Sequence, residues 1–128
     1  MKIAPWSVIW PYDCLARPPK PKLWVAVAPD RGWFLRINSE HRPGGVALEP
    51  VEHPFLEHRS WLCCHGELIE VDDRKLEDLL ARQGNPTRRG VLGSIASSVR
   101  PHVLREIEAA PTLSAEQKEA ILSALRAP

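Results

Sequence analysis

Arg17, Lys20 and Lys22 crowd cationic side chains just ahead of an apolar run at residues 23–28, and Asn38, Ser39 and Glu40 close the next run, residues 33–38. If the two runs pair as an antiparallel hairpin, the start of the first lies beside the end of the second, and the cations meet the hydroxyl at one sheet edge. Such a meeting makes an anion site. A cation there stabilises the charge of an in-line phosphoryl transition state, and Ser39 holds a phosphate oxygen or orients a ribose hydroxyl. The same residues also fit an ordinary polar sheet edge.

A second constellation is His53, His58, Arg59, Ser60, Cys63, Cys64 and His65. Imidazoles and thiols this close in sequence admit a zinc site built on Cys63 with His58 or His65. In a strand, however, neighbouring Cys63 and Cys64 point to opposite faces, so only one of them can join it. The competing reading is buried cysteines with surface histidines. The five tryptophans, Trp6, Trp10, Trp24, Trp33 and Trp61, all fall in strand-like stretches, where they stack on bases or, more simply, fill a core. No Gly-rich phosphate loop, nucleophile elbow, His-Glu-x-x-His or Cys-x-x-Cys occurs, so neither a nucleotide cofactor nor a metal is expected.

These groups must be positioned by a small scaffold. The 128 residues fit one domain, and 44% apolar with 26% charged residues is the composition of a globular chain. Seventeen basic against sixteen acidic residues give a net charge of +1, so no global field draws the chain to nucleic acid, and any such site is local. No apolar run reaches the roughly 20 residues that span a bilayer. The N-terminus lacks a signal-peptide pattern, so the expected location is the cytoplasm, without a membrane partner. The odd cysteine count, Cys14 with Cys63 and Cys64, predicts free thiols.

Pro5, Pro11, Pro18, Pro19 and Pro21 leave room only for a short strand within residues 6–10 before the run at 23–28. Pro29-Asp30-Arg31-Gly32 then reads as the turn of a hairpin with residues 33–38. A turn at residues 42–45 leads to a strand over 46–51, and a further pair over 60–64 and 67–71 is interrupted at Gly66. Short strands and tight turns predict a small antiparallel barrel. Beyond Asp72 the period becomes helical. Leu76, Leu79 and Leu80 mark a helix that stops at Gly84. A stripe from Val91 to Ile107 predicts two packed helical segments split by Pro101, and Ser114 with Gln117 caps a final helix through Leu125. The fold class is therefore α+β: a small antiparallel β-barrel over residues 1–71, followed by C-terminal helices over 72–128, all in one domain.

Between Pro18 and Val71 the chain resembles the PemK/MazF toxin ribonucleases. Lys20-Pro21-Lys22-Leu23-Trp24-Val25-Ala26-Val27 is similar to that family's basic residue, proline and apolar strand. Trp33 through Asn38-Ser39-Glu40 resembles its next strand with a terminal hydroxyl residue, and His53-Pro54-Phe55-Leu56-Glu57-His58-Arg59-Ser60-Trp61-Leu62-Cys63 resembles a segment of its divergent members. The resemblance implies an SH3-like barrel and a metal-independent endoribonuclease acting on single-stranded RNA through the RNA's own 2′-hydroxyl. It implies catalytic roles for Ser39, Lys20 and Arg17, and RNA contacts at Lys22, Arg31, His58, Arg59 and Ser60. It also implies a cognate antitoxin protein and a homodimer.

The chain departs from the family in having Lys20 where an arginine stands, Arg59 where an acid precedes the serine, and no Gly-Asp opening. Lysine is a point charge where arginine is a bidentate fork. The alternative function is a non-catalytic protein-interaction module on the same barrel, either a degenerate toxin or a poison of a partner enzyme. An apolar or acidic groove would favour it, and a continuous positive groove would favour RNA.

Overall fold

The computed structural model describes residues 2–128. Its strands are β1 (Ser7–Ile9), β2 (Tyr12–Asp13), β3 (Lys20–Pro21), β4 (Trp24–Ala28), β5 (Trp33–Asn38), β6 (Gly45–Leu48), β7 (Ser60–Cys63), β8 (Ile69–Glu70) and β9 (Gly93–Ser94), and its helices are α1 (Asp73–Arg82), α2 (Arg100–Ala109) and α3 (Ala115–Arg126). The architecture is α+β, a curled antiparallel half-barrel with three helices. The strands run in the order β6-β7-β5-β4-β1-β9, with β8 also on β5 and a separate β2-β3 ribbon.

The expected hairpin forms. β4 and β5 pair antiparallel with Trp24 opposite Arg36 and Val25 opposite Leu35. Pro29–Arg31 makes a single 3-10 turn, and Gly32 closes it at φ 71°, its N–H donating to the Pro29 carbonyl at 3.0 Å. A Cβ on Gly32 would lie 1.9 Å from the Val71 carbonyl oxygen, so both backbone angle and space require glycine here.

β4 is a continuous apolar run because both of its faces are covered. On one face Val25, Val27, Leu35 and Ile37 pack with Val103 and Ile107 of α2 and with Ile121 and Leu125 of α3. On the other, Trp24, Ala26 and Phe34 pack with Leu76, Leu79 and Leu80 of α1. Helices α1 and α3 begin on side-chain caps: the Asp72 carboxylate accepts from the Lys75 N–H at 2.7 Å, and Ser114 and Gln117 complete a capping box. Helices this short are marginal alone, and the buried leucines and isoleucines hold them.

Several expected boundaries shift. The strand expected over residues 46–51 is Gly45–Leu48, because Pro50 has no N–H to continue a ladder. The stripe from Val91 to Ile107 is not two helical segments. Its first part is the short strand β9 on the sheet edge, and Pro101 stands in the first turn of α2, where its missing N–H removes no helical bond. The ribbon of β2 and β3 was hidden in the proline-rich stretch, with Pro21 opposite Tyr12 and Lys20 opposite Asp13. Cys14, Cys63 and Cys64 carry free thiols. Among the described residues, no helix is long and apolar enough to cross a membrane.

Candidate functional site

The hairpin and the β2-β3 ribbon together build a cleft of ≈ 440 Å³ whose lining includes Arg17, Lys20, Lys22, Arg36, Ser39 and Arg42. Its placement follows from register. The Ile37 N–H donates to the Leu23 carbonyl at 2.9 Å, which sets the start of β4 beside the end of β5 and so Lys22 beside Asn38. The ribbon carries Lys20 to the same edge, and the Lys22 N–H is fixed by the Pro11 carbonyl at 3.1 Å. Arg17, Lys20, Lys22 and Ser39 thus share one cavity. The acid among its lining residues is Glu40, 3.8 Å from Arg42.

Behind the cleft lies a network that the sequence did not single out. Asp13, 1% exposed, accepts from Arg36 Nε at 2.6 Å and from its second guanidinium nitrogen at 3.2 Å, from Trp24 Nε1 at 3.1 Å and from the Leu15 N–H at 3.1 Å. Burial pushes this carboxyl up, but the bonds from Arg36 and Trp24 and the charge of Arg36 outweigh it and hold the group below its ordinary value. Asp13 locks a guanidinium at the cleft wall. The one signal for it was an acid set among Trp10, Tyr12 and Cys14.

Lys22 donates to Asn38 Oδ1, and Asn38 Nδ2 donates to Cys63 Sγ at 3.0 Å. The ammonium is therefore neighboured by an amide rather than by a carboxylate. Burial, then the charges of Lys20 and Arg36, push its pKa below the usual lysine value. Burial also pushes the Cys63 thiol up, against the pull of Lys22 and Asn38, so this cysteine is a poor nucleophile.

The remaining expected contacts lie elsewhere. Alternation along β7 sends Ser60 and Leu62 to the face opposite Trp61 and Cys63, and only the latter face adjoins Asn38. Ser60 is buried, with its hydroxyl on the His58 carbonyl at 3.2 Å, and both line another cleft with Trp10 and Arg88. Arg59 is exposed and paired with Glu49 at 2.7 Å. Arg31 sits at the far, turn end of the hairpin, its guanidinium 5.1 Å from the Trp33 ring centroid. None of these four lines the cationic cleft.

The reading of surface histidines fails at His53, which is fully buried. Its Nε2 accepts from the Ala96 N–H at 3.0 Å, so its Nδ1 donates to the Glu49 carbonyl at 3.0 Å. This ring is a structural cross-link between the loop after β6 and the segment after β9. Among the described residues no three His, Cys, Asp or Glu side chains gather to hold a metal, which leaves Cys63 with His58 or His65 short of a ligand set. Trp6, Trp24 and Trp33 are core residues, while Trp10 and Trp61 are half-buried.

Compared with known proteins, the chain matches no family model and no curated protein. The chemistry must be read from the cleft: several cations, one exposed hydroxyl, and a lysine whose proton is held less tightly than usual.

Proposed function

We propose that this domain is a PemK/MazF-like endoribonuclease toxin on an SH3-like half-barrel, cleaving single-stranded RNA without a metal. The observation that supports it is the gathering of Arg17, Lys20 and Lys22 with Ser39 in one cleft. A cleft lined by these cations suits a polyanion.

In this reading a backbone phosphate enters the cleft and its negative oxygens meet Arg17, Lys20 and Arg36. The 2′-hydroxyl of the preceding ribose attacks phosphorus, Glu40 takes its proton, and the bond from phosphorus to the 5′-oxygen breaks. The products are a 2′,3′-cyclic phosphate and a 5′-hydroxyl. Ser39 donates to a non-bridging oxygen as charge develops, and Lys22, its pKa lowered by burial and neighbouring cations, protonates the leaving oxygen. The nucleophile belongs to the substrate, so no metal-bound water is called for. A cognate antitoxin and a homodimer belong to the same reading.

The test is incubation of the purified chain with single-stranded RNA in chelator, repeated with Ser39→Ala. The expected result is cleavage that falls about 100-fold or more in the variant, the scale of losing one transition-state donor. Ser39 is exposed, so the fold should be unaffected. Intact RNA with the unaltered chain would overturn the reading.

A further inference from the structure

A second cleft, also ≈ 440 Å³, opens beside the cationic one, and Arg36, Asn38 and Arg42 line both. Its character is different. Pro43, Pro111, Cys63 and Gly66 give it apolar walls, and Glu67 stands at its edge with Oε2 3.8 Å from an Arg36 nitrogen. Its volume lies in the range of sites for small organic ligands.

We propose that this second cleft is a nucleobase subsite that selects guanine next to the scissile phosphate, an inference that rests on the RNA-cleavage reading. Continuity is the first argument. Arg36, Asn38 and Arg42 form the shared wall, with the Asn38 amide oxygen taken by Lys22 and its amide nitrogen by Cys63, so a phosphate on one side and a group on the other lie across the same three residues. A phosphate and the base of its own nucleotide are joined through one sugar, so adjoining clefts suit the two. Apolar walls accept a base face, since single-stranded RNA is read through unstacked bases.

The choice of base follows from the polar groups. Glu67 is an acceptor-only carboxylate 3.8 Å from Arg36 Nη1, the guanidinium nitrogen not bonded to Asp13, with Arg42 as a further donor. Guanine alone offers two adjacent donors, N1–H and the 2-amino group, to one carboxylate, while its O6 and N7 accept from a guanidinium. Cytosine and adenine present a single amino group to that acceptor. Uracil presents none, and its one ring N–H is flanked by carbonyls that a carboxylate repels.

The experiment uses the full chain and a set of RNA oligonucleotides carrying guanine, adenine, cytosine, uracil or an abasic residue on either side of the cleaved bond. A preference for guanine of about 10-fold or more in kcat/KM is expected at one of the two positions, the scale of a bidentate base contact. Glu67→Gln should bring the guanine rate down towards the others, with its melting temperature measured to confirm folding. Cleavage at equal rates for all bases and for the abasic residue, or a guanine preference unmoved by Glu67→Gln, would overturn the subsite and leave the nuclease standing. If no oligonucleotide is cleaved, the nuclease reading falls. Anisotropy with the 2′-deoxy versions then decides the subsite by itself, because equal Kd for guanine and abasic strands contradicts it.

Discussion

Asp13 Oδ2 accepts a hydrogen bond from Arg36 Nε at 2.6 Å, which ties the β2-β3 ribbon to the middle strand of the half-barrel. The acid is 1% exposed and the Arg36 side chain 14%, so removing one partner leaves the other charge buried. Asp13→Asn is expected to lower stability by about 3 kcal/mol, the lower end for breaking a buried pair. Urea denaturation of both chains measures it, and a loss under about 1 kcal/mol would contradict it.

The same pair fixes a pH dependence. The folded-state pKa of Asp13 is depressed below its unfolded value of about 3.9. Its contribution is therefore complete above that unfolded value and is lost as pH falls through the folded one. The stability difference between the native chain and Asp13→Asn should be flat from about pH 7 to 5 and shrink below about pH 4. Denaturation midpoints across that range check it, and a difference that grows on acidification would refute it.

Lys22 sets function against stability. Its ammonium is half-buried beside Lys20 and Arg36, and its partner is neutral Asn38. Lys22→Met keeps the stem and removes the repulsion, so melting should be unchanged or higher while RNA cleavage falls at least about 100-fold. A variant both less stable and fully active would contradict the assignment.

Binding should show which cations face RNA. Each phosphate neutralised contributes about 0.7 to the slope of log affinity against log salt for single strands. Arg17→Ala and Lys20→Ala should each reduce that slope by about this amount. Arg59→Ala should not, because Arg59 is already paired with Glu49 and lines no part of the cleft. Fluorescence anisotropy over a salt series measures all three.

The hairpin was legible because its signals are local: an apolar run, a Pro-to-Gly turn and a second run fix one register, and that register alone brings Lys22 beside Asn38. Where Ser60 would sit was not legible, for an equally physical reason. Alternation puts Ser60 on the face opposite Cys63, but which of those faces adjoins Asn38 is not set until β7 pairs with β5. Asp13 was invisible because its two side-chain partners, Trp24 and Arg36, which make three hydrogen bonds to it, come from strands later in the chain. Pro101 misled because the same residue ends one helix and begins another, and what decides is whether the preceding segment has a sheet edge to join.

In the proposed reaction the cationic cleft and Ser39 act on RNA through the ribose's own hydroxyl. The most direct measurement compares, in chelator, an RNA oligonucleotide with one carrying a single 2′-deoxy residue at the cleavage position, with the end groups of the products identified. A 2′,3′-cyclic phosphate and a 5′-hydroxyl are expected from the first, and no cleavage at that bond in the second. Cleavage of the deoxy-substituted bond at an undiminished rate would contradict it.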